Sequence, residues 1–212
     1  MNDWLARRTV FVLHEPQDLV NIAGVVRVMK NMGLRRLRLV RPAEFDAYRI
    51  EGIAHKTHDV LERIEFHDAL EDAIADCSWV AGTTARARSA KRTTYAARAA
   101  AAEIAARARD ETAGPVAVVF GREDRGLSNA DLDLCHALVT IPADPAHPSL
   151  NLQHAAAIVA YEIRLAAGGE SVPRKPPRRP APPATAAELE AMFAEVERAL
   201  EAIGRASCRE RV

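Results

Sequence analysis

A chain of 212 residues with 49% hydrophobic content is long enough for one α/β domain plus an appendage, and no apolar run approaches the roughly 20 residues that span a bilayer. The opening MNDWLARRTVFVLHEP has neither a long apolar core nor a small-residue cleavage site, so a soluble, cytoplasmic protein with no membrane partner is expected. The 29 basic side chains balance the 29 acidic ones, and Cys77, Cys135 and Cys208 are spaced for neither a disulfide framework nor a zinc site, which leaves reduced thiols and no metal.

Thr9 to Leu13 is the first strand-like run, and a helix over Val20 to Met32 follows it, with Ile22, Val25, Val26, Met29 and Met32 on its apolar side and Gly33 as its stop. Leu37 to Val40, Trp79 to Gly82, Val116 to Phe120 and Leu138 to Ile141 read as four more strands. Between them, Asp68 to Asp76 and the alanine-rich Tyr95 to Arg109 read as helices. Ser149 opens a further helix with Leu152, Ala155, Ala156, Val159 and Ile163 at helical spacing. Alternating strands and helices predict an α/β fold on a parallel sheet. This first domain covers residues 1–167. Residues 168–184, GGESVPRKPPRRPAPPA, form a Pro/Arg-rich linker that supports neither helix nor sheet. Residues 185–212 form a helical extension whose Leu189, Met192, Phe193, Val196, Leu200 and Ile203 make an amphipathic stripe.

Although the net charge is zero, the bases cluster. Arg27, Lys30, Arg35, Arg36, Arg38 and Arg41 bracket the first helix and second strand, Arg86, Arg88, Lys91 and Arg92 crowd one loop, and Arg174, Lys175, Arg178 and Arg179 stud the linker. Solvated faces explain most such runs, but the loop cluster follows an apolar strand end, where it can track a phosphate backbone.

Functional polar residues gather where strands end. Val116 to Phe120 stops at Gly121, Leu138 to Ile141 stops at Pro142, and a Ser149-Leu150-Asn151 cluster follows, so a small ligand there meets backbone groups rather than a charged pocket. Gly121-Arg122-Glu123-Asp124-Arg125-Gly126 flanks one carboxylate, Glu123, with glycines that permit a close turn. It is not a nucleotide fingerprint, since G-x-G-x-x-G and Walker patterns are absent. His14, His136, His147 and His154 are scattered, and without a nucleophile elbow a hydrolase triad with Ser149 lacks support. On the residues alone, Asn21, at the start of the first helix, reads first as a cap, and Arg27 as an exposed arginine.

Three blocks, NIAGVVRVMKNMGLRRLRLVRP, VVFGREDRGLSN and TIPADPAHPSLNLQHAAAIVAYE, resemble in order the three motifs of SPOUT-superfamily RNA ribose 2′-O-methyltransferases of the TrmH type. One departure is that the first motif usually reads Asn-Ile-Gly, whereas Ala23 precedes Gly24 here. The resemblance implies a parallel-sheet α/β knot, with a deep trefoil formed after Gly121, and S-adenosyl-L-methionine bound by Thr83, Thr84, Ala85, Gly121, Ile141, Ser149 and Leu150. It implies functional roles for Arg27, Asn21, Glu123, Ser149 and Asn151, RNA contacts from Arg86, Arg88, Lys91 and Arg92, and a homodimer. The implied reaction is methylation of the ribose 2′-OH of a cytidine or uridine in the tRNA anticodon loop, at nucleotide 32. The alternatives are ribosomal RNA or the tRNA wobble nucleotide as substrate, and, in another class, a noncatalytic RNA-binding module.

Overall fold

The computed structural model describes residues 3–85, 92–168 and 184–202. The chain divides into two units, Met1–Glu170 and Ser171–Val212. In chain order the first unit carries α1 (Asp3–Arg8), β1 (Thr9–His14), α2 (Leu19–Met32), β2 (Arg36–Val40), α3 (Ala47–Ala54), α4 (His58–Leu61), β3 (Glu65–His67) and α5 (Leu70–Ile74). β4 (Trp79–Thr83), β5 (Thr93–Ala96), α6 (Ala97–Arg109), β6 (Val116–Phe120), α7 (Asn129–Asp133), β7 (Ala137–Thr140) and α8 (Leu152–Ala166) complete it. The strands form one sheet in the order β3-β2-β1-β6-β4-β7-β5, and every pairing is parallel. The second unit contains α9 (Ala186–Ala202), none of whose residues is buried.

The pleat sorts the strand side chains into two cores. In β6, Val116, Val118 and Phe120 face one side with Phe11, Leu13, Leu37, Leu39 and Trp79, under α2, α6 and α8. Ala117 and Val119 face the other side with Val10, Val12, Val80 and Leu138, against Leu70 and Ala73 of α5 and Leu132 of α7. Strands buried on both faces have no alternation to display, which is why they read in sequence as continuous apolar runs. The sheet therefore has seven strands among the described residues, where five were expected. The two extra strands, β3 and β5, are its edges, each paired on one side only. Their residues are half-buried or exposed, so neither carries the apolar run that marks an interior strand.

Boundaries shift for local reasons. Tyr95 belongs to β5 and α6 begins only at Ala97, while α5 is confined to Leu70–Ile74 and β7 ends at Thr140, one residue before Ile141. The Asp18 carboxylate accepts from Val20 N at 2.8 Å and caps α2, so Asn21 lies inside the first turn and is not the cap. Gly33, at φ 79°, closes α2 in the left-handed conformation that glycine adopts without penalty. Asn151 caps α8 through Gln153 N at 2.9 Å, so the helix starts at Leu152 and Ser149 stands before the cap. Ala23 is fully buried in an uninterrupted α2. A Cβ at Gly24 would meet Gln153 Oε1 at 1.9 Å, so its lack of a side chain lets α8 cross α2 closely.

Candidate active site

In a parallel sheet all C-terminal strand ends share one edge, and β6, β4 and β7 are neighbours there. The loops leaving these three strands enclose a cavity of about 300 Å³. Phe120, Leu127, Val139, Leu152 and Ala155 supply its apolar wall. Thr83, Thr84, Ala85, Gly121, Ile141, Ser149 and Leu150 all line it, together with Glu123. Thr83 Oγ1 donates to Val119 O at 3.0 Å and Thr84 N to Val139 O at 2.9 Å, which ties the end of β4 to both neighbouring strands. Arg122, Asp124 and Arg125 also line it beside Glu123, so the mouth carries charged side chains where backbone groups alone were expected, and a volume of this size with mixed polar and apolar walls fits a small organic ligand.

Gly121 makes the cavity mouth possible. A Cβ there would lie 2.3 Å from Gly126 C and from Leu127 N, both main-chain atoms. The turn is closed by Gly126 N donating to Arg122 O at 2.8 Å, and Gly126 sits at φ 69°. Leu127 is then buried, and Ser128 and Asp131 cap α7 reciprocally.

Beside the cavity, three distant stretches of chain meet in one network. Glu123 Oε2 accepts from Gln17 N at 2.9 Å, and its Oε1 accepts from Asn21 Nδ2 at 3.0 Å and Asp18 N at 3.4 Å. Asn21 Oδ1 in turn accepts from Asn151 Nδ2 at 3.0 Å. Both carboxylate oxygens face N–H donors, so Glu123 orders the β1–α2 loop and Asn21, and through Asn21 the start of α8. Asn21 is 7% exposed, which makes its two bonds costly to lose.

Arg27 stands apart from this network. It is exposed on α2, does not line the cavity, and its Nη1 donates to Ala54 O at 2.8 Å and His55 O at 2.7 Å. Of the four basic residues expected to meet RNA, Arg86, Arg88 and Lys91 lie outside the described residues, as does the basic linker stretch Arg174 to Arg179. Arg92 is described, and it bonds Asp133 O and pairs with the Asp133 carboxylate at 3.7 Å.

One cluster at the same edge escaped the sequence reading. Glu15 receives Arg41 Nη2 at 2.7 Å, Arg125 Nη2 at 3.0 Å and Arg122 Nη1 at 3.5 Å. Arg41 above all, with Arg125, His14 and Arg122 adding, holds the Glu15 carboxyl down at about 2. Arg122 also grips Asp124 through two bonds of 2.9 Å and holds that carboxyl below its ordinary range. Glu15 and Arg41 immediately follow β1 and β2 at φ 52° and 44°, left-handed bends that turn the chain off the sheet. The available signal was a charged residue just past each apolar run, Glu15 two residues after Leu13 and Arg41 directly after Val40. Cys77 and Cys135 have thiols pushed up to about 12 by burial, which leaves both inert at neutral pH.

The model of the SpoU rRNA Methylase family matches residues 8–161. The chain is 36% identical over 190 residues to the tRNA (cytidine/uridine-2′-O-)-methyltransferase TrmJ of Pectobacterium atrosepticum, covering 89% of this chain and 77% of the relative. It is 40% identical over 156 residues to TrmJ of Yersinia pestis (strain Pestoides F), covering 73% of this chain and 59% of that one. Among solved structures, TrmJ from Z. mobilis ZM4 superposes with a TM-score of 0.67 at 31% identity, over 92% of this chain and 81% of the other.

Proposed function

Because this chain belongs to the SpoU rRNA methylase family and is a methyltransferase, we propose that it transfers a methyl group from S-adenosyl-L-methionine to a ribose 2′-oxygen of tRNA. The observation that carries this reading is the cavity over the ends of β6, β4 and β7, flanked by the Glu123–Asn21–Asn151 network. The residues present fit the donor: Gly121 leaves main chain where a Cβ would crowd, and the apolar wall suits an uncharged ring. Thr83, Thr84, Ala85, Gly121, Ile141, Ser149 and Leu150 would hold it. When bound, S-adenosylmethionine supplies an electrophilic methyl on a sulfonium whose departure needs no acid.

This chain's residues then have two tasks, to aim the ribose hydroxyl and to hold the RNA. Asn21 and Asn151 are fixed by the network in orientations set by Glu123, with Ser149 on the cavity wall. A guanidinium stays protonated in water, so Arg27 acts as a clamp on the phosphate beside the target ribose rather than as a base. Holding acceptor and donor in line would be the main contribution of these residues, with the proton given up by the 2′-oxygen passing to solvent water as the methyl–oxygen bond forms and the methyl–sulfur bond breaks. The reading keeps Arg86, Arg88, Lys91 and Arg92 as contacts to RNA, of which Arg92 alone lies among the described residues.

The reading extends to a cytidine or uridine of the anticodon loop, nucleotide 32, as the target. It extends also to a homodimer, supported by Ile158, Tyr161 and Leu165 exposed along one face of α8. The insertion of β6 between β1 and β4, with the chain before α8 lining the same cavity as the 121–127 turn, supports the trefoil knot. Calorimetry with S-adenosylhomocysteine tests the site: one metal-independent binding event per chain is expected. No heat from a folded sample would favour the noncatalytic RNA-binding module.

A further inference from the structure

We propose that the turn between α3 and α4, residues His55 and Lys56, is the positioning element for Arg27; this rests on the reading of Arg27 as the RNA clamp. Arg27 is held by two carbonyls, Ala54 O and His55 O, both on Nη1. Among the described residues it has no carboxylate partner, whereas Arg41 pairs with Glu15, and Arg122 with both Glu15 and Asp124. Neutral acceptors at the C-terminal end of α3 orient a guanidinium without neutralising it, so its charge and its other N–H groups stay available to an anion. A carboxylate in the same place would compete with phosphate.

The turn's backbone is built to aim those carbonyls. His55 sits at φ 34° and Lys56 at φ 58°, consecutive non-glycine residues in a region that side chains rarely adopt. Such conformations persist only where the surroundings impose them. The surroundings here are explicit: His55 N donates to Glu51 O at 2.9 Å, and the fully buried Thr57 takes Val60 N and Leu61 N on its carbonyl. Lys30, one turn beyond Arg27 on α2, binds Asp59 of α4 at 2.5 Å. The 55–56 peptide is thus pinned from α3, from α4 and from α2, with His55 O directed at Arg27. A rotation about this peptide toward ordinary φ at Lys56 turns that carbonyl away.

The test compares Lys56→Val with Lys56→Gly in single-turnover methyl transfer to tRNA. Valine resists positive φ and glycine accepts it. Lys56→Val is expected to lower the rate at least tenfold and Lys56→Gly to keep it within twofold, both with unchanged S-adenosylhomocysteine affinity. On an Arg27→Ala background, Lys56→Val should add no further loss, because the turn acts through the missing side chain. Full activity of Lys56→Val, or an equal further loss without Arg27, overturns the proposal. An undiminished rate in Arg27→Ala instead overturns the clamp reading beneath it. If Lys56→Val does not fold, Asp59→Asn, which frees α4 from Lys30, decides: a several-fold loss that vanishes on the Arg27→Ala background is expected, and an unchanged rate overturns the proposal.

Discussion

Gly121→Ala should distort the cavity mouth without removing any polar side chain. The added Cβ falls 2.3 Å from Gly126 C and Leu127 N and 2.7 Å from Gly126 O. Carbon contacts are relaxed at about 3.5–4.0 Å, so a gap of more than about 1 Å must open. Neither side can yield by rotating a side chain, because every opposing atom is main chain and the turn is latched by Gly126 N to Arg122 O at 2.8 Å. Overpacking of this kind costs about 1–3 kcal/mol. If binding must absorb it, affinity for S-adenosylhomocysteine falls by about 5- to 150-fold, at about 1.4 kcal/mol per tenfold. Titration calorimetry and thermal unfolding of the same sample measure the two routes by which the cost can appear. Gly126→Ala, with open space around its Cβ but φ at 69°, should suffer only the backbone penalty of about 1–2 kcal/mol. Gly121→Ala that binds within twofold of the parent and melts at the same temperature would refute the reasoning.

Glu123→Gln must turn an amide N–H₂ toward at least one of the donors Gln17 N, Asp18 N and Asn21 Nδ2, and should cost about 1–2 kcal/mol in thermal unfolding with a slower methyl transfer; an unchanged melt and rate would remove the network from the account. Glu15, held at about 2 against an ordinary 4.5, contributes stability that is complete above about 4.5 and is lost as pH falls toward 2. The stability gap between the parent and Glu15→Gln should therefore narrow over that window in acid titrations, and a gap independent of pH would contradict the arginine cluster. Charge reversal at Arg86 and Arg88 should weaken tRNA binding and flatten its dependence on salt, since fewer phosphates are neutralised, with cofactor affinity little changed; an unaltered salt slope would take this loop off the RNA surface.

The interior of the sheet was legible because β1, β2, β4, β6 and β7 are flanked on both sides and carry continuous apolar runs. Edge strands such as Glu65–His67 carry no such signal, and the one-turn helices α4 and α7 are too short to display periodicity, whereas α5 falls within the helix expected over Asp68 to Asp76. The residues named for the cofactor line a single cavity because strand ends in a parallel sheet converge whatever their separation along the chain. Pairings between loops were not legible. Nothing in the sequence joins Glu123 to Gln17 N across 106 residues, or Glu15 to three arginines, and the carbonyls that hold Arg27 belong to a turn whose residues, His55 and Lys56, are not the glycines that positive φ usually signals.

Ribose-methylation mapping of tRNA and ribosomal RNA from cells with and without the active protein, paired with transfer of a labelled methyl by purified protein, tests the central claim most directly. Loss of one 2′-O-methyl group at a cytidine or uridine of the tRNA anticodon loop, restored by the purified protein with S-adenosylmethionine, is the expected result. Unaltered tRNA, or a lost methyl confined to ribosomal RNA, would contradict it.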